Sequence, residues 1–422
     1  MNDMHSLGEF VALRQGLAIN KGTAHLVSEK KDENYVYPLL RIADMESGKY
    51  EKYISKSVQD SVIANEDDIV YTRTGQIGLA FRGYSGCVHN NSFIVSLTSE
   101  DIDKDYLFVL LNSKFVRQQA LSLAKNSVQP DLTHDMFKSI LIPVPDINEQ
   151  KSIASIILTI SNKILNNNTI CADIEGMAKL LYDYWFVQFD FPDENGKPYK
   201  SSGGKMIWNE ELKREIPDGW KVKELDDYIR IIRGVSYNPE DELKRETESS
   251  IRLLKSNNIQ NGALNFEQPI ILPADIANED QWLTEGSVFI TMSSGSKKHM
   301  GKTAIVFKSL PYVFGAFCAK IAIKPEYRCI LSTYFRSDWF RVYIENVTAG
   351  TSINNIGQEH LTKIKLPFPP VSILSQYESI VSSLFIKQGE IIEENQELAS
   401  LRDFLLPMLM NGQVKVKKGE NQ

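Results

Sequence analysis

Three short stretches of this sequence hold residue types that could do chemistry. Ser296-Lys297-Lys298-His299-Met300-Gly301-Lys302-Thr303 ends like a phosphate-binding loop, in which backbone amides and a lysine cradle phosphates. Serine stands where the first glycine belongs. Ala304-Ile305-Val306-Phe307 then reads as a strand, where that chemistry needs a helix N-terminus. Asp193, Glu211 and Lys213 match the residue types of a metal-dependent nuclease, which needs carboxylates converging on one ion from adjacent strands. Here they fall in a polar connector and a charged helical patch. Phe368-Pro369-Pro370-Val371 has the prolines of a loop that grips a flipped base, but neither flank of such a loop. No glycine-rich cofactor loop follows a strand. Cys87, Cys171, Cys318 and Cys329 form no CxxC pair and no ligand spacing with histidine. The expectation is a chain with no catalytic residue, no metal and no cofactor of its own.

Residues suited to binding are easier to find. Thr72-Arg73-Thr74-Gly75-Gln76 leaves a predicted strand with the donors and acceptors that read base edges. Arginine can grip guanine with two hydrogen bonds, and glutamine can do the same with adenine. A solvated turn accounts for Arg73, Thr74 and Gln76 equally well. Ser294 with Lys297 and Lys298 forms a longer, basic counterpart later in the chain, suited to phosphate contact. A further pair of polar stretches comprises Lys125, Asn126 and Gln129, and then Thr351 and Asn354. Arg41 and the pair Lys255 and Asn257 complete the candidates. The formal net charge of −7 weighs against a strong non-specific polyanion binder, unless the basic residues gather on one face.

These candidates come in pairs because the chain is written twice. Leu39-Leu40-Arg41 through Gly48 is echoed by Leu253-Leu254-Lys255 through Gly262. Each reads as a buried strand leaving into a polar turn closed by glycine. The segments from Glu66 and from Thr284 both read as an acidic turn followed by a strand. Ile142-Pro143-Val144-Pro145 and Leu366-Pro367-Phe368-Pro369 close the two copies as extended exits that no helix can cross. After each exit comes a long helical pattern. The first seam is read as Ile153, Ile157, Ile160, Ile164, Asn167, Ile174 and Leu181. The second is read as Ile380, Leu384, Ile391, Glu394, Leu398, Leu401 and Leu405. Polar residues inside such a stripe cost stability and fix register. The predicted organisation is a globular unit at 1–145, a helical spacer at 146–190, a turn-rich linker at 191–215, a second unit at 216–369 and a closing helix at 370–422. The fold class is α+β, with the two long helices packed as an antiparallel coiled coil.

The central block resembles a known family. Leu181-Tyr182-Asp183-Tyr184-Trp185-Phe186, Phe189-Asp190-Phe191-Pro192, Gly196-Lys197-Pro198-Tyr199, Gly203-Gly204-Lys205-Met206 and Ile216-Pro217-Asp218-Gly219-Trp220 resemble the specificity subunits of Type I restriction–modification systems. So does the end of the chain, with Phe404-Leu405-Leu406-Pro407 and Asn411-Gly412. The resemblance implies two target recognition domains, each reading half of a split site in double-stranded DNA. It also implies docking of methyltransferase subunits on the helices, and a restriction and motor subunit completing the complex. S-adenosylmethionine, ATP and magnesium would then belong to those partners. A helix from Ile153 to Trp185 would run roughly 48 Å at ~1.5 Å per residue, enough to hold two readers ~34 Å apart, one duplex turn. The rival readings are a solitary modification enzyme, which lacks its motifs here, and a scaffold whose repeated units bind protein or carbohydrate. The mildly acidic start without an apolar run, the short apolar stretches and the scattered cysteines predict a cytoplasmic protein with no membrane span.

Overall fold

The computed structural model of the chain describes residues 4–125, 130–260, 262–266, 268–349, 355–414 and 416. The backbone separates into two compact units, Met1–Asn166 with Asn395–Gln422, and Asn167–Glu394. The division falls inside the two long helices and not in the connector at 191–215. Each helix half is absorbed into the core of the unit it crosses.

In the first unit Val11–Gln15, Ser92–Leu97, Ile69–Thr72 and Ala80–Phe81 form an antiparallel sheet in that order. Alternation along the strands sends Tyr71, Phe93 and Val95 to a large core that includes Tyr106, Leu107 and Leu110 of helix Lys104–Leu111. Val70 and Ile94 point the other way, to a small core with Leu40 and Val88. Both faces are covered, so the strands read as unbroken apolar runs and not as an alternating pattern. Beside this sheet, Tyr35–Leu40 pairs antiparallel with Tyr53–Ser55 and parallel with Gly86–Val88.

The second unit repeats this plan. Ile229–Arg233, Cys318–Ile323, Val288–Thr291 and Thr303–Ile305 take the same order. Ser250–Leu254 pairs antiparallel with Ile270–Pro273 and parallel with Tyr312–Phe314. The proline exits are short strands in both units. Leu141–Pro143 lies on Met4–Ser6, and Lys365–Phe368 lies on Lys221–Glu224. Two-stranded edges tolerate proline because one side of each strand needs no ladder donor.

The long helices run Ile147–Tyr182, 36 residues, and Val371–Met410, 40 residues. A π-helical turn, Asp183–Val187, follows the first. In the first unit Ile153, Ala154 and Ile157 share a core with Leu409 and Met410. In the second, Ala178, Tyr182, Trp185 and Phe186 share one with Leu374, Tyr377, Val381 and Phe385. Asn167, 1% exposed, donates its Nδ2 to Glu394 Oε2 at 2.7 Å. Gln388 Nε2 reaches the Cys171 carbonyl at 3.4 Å, and the Phe186 ring meets Tyr377 at 4.7 Å. Within the second unit the two helix segments therefore run antiparallel.

Along the first helix Ile153, Ile157, Ile160, Asn167 and Ile174 are buried, with Ile164 and Leu181 half-buried. The second helix corrects its expected seam. Ile380 and Leu401 are both 45% exposed, and Leu384, Glu394, Leu398 and Leu405 are half-buried. The spacing between the proline exits, carried forward, places the second buried face on Tyr377, Val381, Gln388 and Ile391, with Leu384 half-buried beside them. This helix has apolar residues on more than one face, so an aliphatic stripe along it falls partly on the solvent side.

The connector is also more folded than a turn-rich linker. Met206–Asn209 and Arg214–Pro217 form a hairpin. Phe191 stacks on Tyr199 at 4.7 Å and on Trp220 at 5.2 Å. Glu211 and Lys213 sit in the hairpin turn, with Lys213 at φ +51°, and not in a helical patch.

Candidate nucleic-acid interface

Of the predicted binding residues, Arg73 and Thr74 lie where a central strand ends, on a backbone frame that occurs once in each unit. In the first, Leu17 N–H donates to Val88 O at 2.7 Å, and Arg73 and Thr74 N–H both donate to Asn91 O at 2.9 and 3.3 Å. In the second, Val235 N–H donates to Phe314 O at 2.7 Å, and Met292 and Ser293 N–H donate to Phe317 O at 2.9 and 3.0 Å. Leu132 N–H to Arg73 O and Ile356 N–H to Met292 O close the two frames at 3.1 and 2.8 Å. Glycine makes the tightest approach possible. A Cβ on Gly16 would stand 2.4 Å from His89 O, and one on Gly234 would stand 2.2 Å from Gly315 O.

Side chains on the first frame are heavily engaged. Arg73 is forked onto Asp131, with Nε to Oδ1 at 2.9 Å, and its Nη1 donates to Gln15 Oε1 at 3.1 Å. Gln15 in turn donates to Asn90 O at 3.1 Å. Arg41 is forked onto buried Asp44 at 2.7 and 2.7 Å and reaches Glu51 at 2.9 Å. These carboxylates hold the Arg41 guanidinium well above even its usual pKa. Neither arginine is free to grip a base in this arrangement; each would have to release a carboxylate first. Thr74 is half-buried, while Gln76 and Lys125 are exposed. His89, in the same frame, is held below the usual imidazole pKa, chiefly by burial.

The second frame is differently furnished. Lys255 takes the place of Arg41, and Asn258 takes the place of Asp44, its Oδ1 accepting from Lys255 N–H at 2.9 Å. Lys255 and Asn257 are exposed. Ser294 is half-buried at the start of the basic loop, and Lys297 and Lys298 are exposed in the 3-10 turn Lys297–His299. Burial and then the charges of Lys298 and Arg341 push the Lys302 ammonium below its ordinary pKa, so cations crowd here. Strand Thr303–Ile305 follows this stretch. Asn126, Gln129, Thr351 and Asn354 lie outside the described residues. Gln15 and Asp131 were missed in the sequence; they are distant along the chain from Arg73, and only the fold makes them its partners.

The sequence matches the Type I restriction modification DNA specificity domain over residues 3–176 and again over 217–399. This chain belongs to that family. The double match follows the internal repeat and leaves out the block that contains the connector. Among similar proteins, the Type I restriction enzyme MjaVIII specificity subunit of Methanocaldococcus jannaschii is 25% identical over 97% of this chain and 92% of its own length. The MjaIX specificity subunit of the same organism is 24% identical over 83% of this chain and 78% of its own. The match to the EcoKI specificity subunit of Escherichia coli K12, 27% identical, spans about half of each protein, 48% of this chain and 45% of that one. In fold, the chain is similar to the S subunit of a Type I restriction–modification system from M. genitalium, with a TM-score of 0.53 at 15% identity over 97% of this chain and 96% of that one. Among the described residues no group of three or more His, Cys, Asp or Glu could hold a metal ion, and no helix is long and apolar enough to cross a membrane.

Proposed function

We propose that this specificity-family chain reads a bipartite site in double-stranded DNA, one half-site per unit, and has no catalytic residue of its own. The observation that carries this reading is the repeated frame. The two units share a backbone down to individual hydrogen bonds, yet the side chains on it differ: Arg73 with Asp131 in one, Met292 with Asn355 in the other. One apparatus made twice with different side chains suits a reader of two different half-sites. Lys125, Lys255, Lys297 and Lys298 are exposed and suited to phosphates. Arg41 and Arg73 become readers by exchanging a carboxylate for a base, and Thr74, Gln76, Asn126, Gln129, Asn257, Ser294, Thr351 and Asn354 supply further donors and acceptors.

The partners are methyltransferase subunits, which would bring S-adenosylmethionine, and a restriction subunit, which would bring ATP and magnesium. Apolar side chains left on the helices suit protein docking: Leu180 is 72% exposed, and Ile386 and Phe404 are both 64% exposed. The helices would also serve as a ruler, being roughly 54 and 60 Å long at ~1.5 Å per residue. Selection of duplexes from a random pool by the chain with its methyltransferase subunits tests this. Recovered duplexes should share two short motifs at a constant gap; recovery without sequence preference would refute it.

A further inference from the structure

We propose that Arg233 and Phe317 form the base-reading centre of the second unit, Arg233 for a guanine and Phe317 for the methyl of a thymine. The inference rests on the DNA-reading function above and gives it particular residues. Strand register fixes the equivalences between the units. Gln15 stands opposite Phe93, and Arg233 stands opposite Ala319; Thr72 pairs with Ser92, and Thr291 pairs with Cys318. Arg233 therefore occupies the place of Gln15, and Phe317 the place of Asn91.

The two places are used in opposite ways. Gln15 is consumed by its own frame, accepting from Arg73 and donating to Asn90 O. Arg233 is half-buried, yet among the described residues its guanidinium has no hydrogen-bond or ion-pair partner. In the first unit the carboxylate of Asp131 neutralises this corner. Its counterpart, Asn355, is an uncharged amide, bridged to Ser293 as Asp131 is to Thr74. A half-buried cation with no partner is costly to hold in that state, and an incoming acceptor relieves the cost. The fork of an arginine matches O6 and N7 of guanine, and no other base edge offers that acceptor pair in the major groove.

Phe317 is 71% exposed, although its backbone is among the best held in the frame. Its carbonyl accepts from both Met292 and Ser293, so the ring is presented from a fixed base and not from a floppy loop. Asn91, at the same place in the first unit, is half-buried. An exposed aromatic ring on the residue whose carbonyl anchors Met292 and Ser293, two positions before the strand partner of Arg233, suits an apolar contact within a polyanion site, and the thymine methyl is the apolar feature of the major groove.

The test uses the full chain assembled with its methyltransferase subunits, with binding and methylation measured on the selected site and its single-base variants. Arg233→Lys keeps the charge and loses the fork. It should cut discrimination at one G·C pair of one half-site by tenfold or more, leaving the other half-site, the gap and the salt slope unchanged. Phe317→Ala should do the same at one A·T pair, and replacing that thymine by uracil should weaken the wild type but not the variant. The Lys297→Ala, Lys298→Ala double variant serves as contrast, weakening all sequences alike and lowering the salt slope by about one per lost phosphate contact. Melting temperatures of the variants establish that each is folded. A folded Arg233→Ala that weakens every sequence equally, with a lower salt slope, would make Arg233 a phosphate contact and overturn the proposal. So would folded variants with unchanged base preference, or with lost assembly alone. A wild-type complex with no preference at all would instead defeat the DNA-reading function on which the inference stands.

Discussion

Lys320 stands in the second unit where the first has Ile94, each third in its central strand. It is 3% exposed, and its Nζ donates to the Trp282 carbonyl at 2.6 Å and to Thr284 Oγ1 at 3.4 Å. Burial holds this ammonium below the ordinary lysine pKa; Asp280 partly opposes the shift and Arg230 adds to it. Below the depressed folded pKa both states are charged, and the folded state bears the full desolvation cost. Between that value and the ordinary one the folded state releases its proton first, so stability rises with pH. Denaturant melts should show the wild type gaining on Lys320→Met as pH climbs toward the ordinary lysine value; parallel curves would contradict this. At this scale the sequence displayed the cations but not their engagements. Arg41 and Arg73 look like base readers until Asp44 and Asp131 are seen holding them. Arg233 and Phe317 went unnoticed because nothing along the chain marks an arginine as unpartnered or a phenylalanine as exposed.

Elements were legible where one residue type dictates geometry. The paired prolines predict the extended exits, and Leu141–Pro143 and Lys365–Phe368 are short strands. The second seam failed in part because Ile380 and Leu401 stand at the expected spacing while remaining exposed. The connector failed because its glycines and prolines signal turns but say nothing of the Phe191, Tyr199 and Trp220 stack that folds it. The glycines before Leu17 and Val235 are the clearest element-scale feature overlooked. A Cβ at Gly234 would meet the carbonyls of Gly315 and Phe314 at 2.2 and 2.4 Å, whereas one at Gly295 would meet nothing within 4 Å. Backbone cannot yield as a side chain tip would, so Gly234→Ala should cost about 1–3 kcal/mol. Gly295→Ala should stay within ~0.5 kcal/mol of the wild type. Thermal melts check both, and a Gly234→Ala midpoint equal to that of the wild type would show that the frame adapts.

For the whole molecule, a net charge of −7 and a DNA-reading role are compatible because charge is distributed unevenly over the repeat. Carboxylates Asp44 and Asp131 offset arginines in the first unit, and amides Asn258 and Asn355 replace them in the second. Sequence alone revealed the duplication and the long helices; which cations survive neutralisation required the fold. The ruler proposal is tested by lengthening both helices together, with four residues after Asn166 and four after Glu394, where the two units divide. A four-residue insertion keeps most of an apolar face. It adds roughly 6 Å at ~1.5 Å per residue, so the gap should grow by about two base pairs at ~3.4 Å each, with both half-sites unchanged. An active complex with the original gap would leave the helices as docking surfaces only.

If this chain chooses the site, sequencing methylated adenines in cells with and without its gene will reveal the choice. The expected result is one split motif, two fixed half-sites at a constant gap, methylated only when the chain is present. Methylation that persists at the same motif without the chain, or a contiguous motif with no gap, would contradict it.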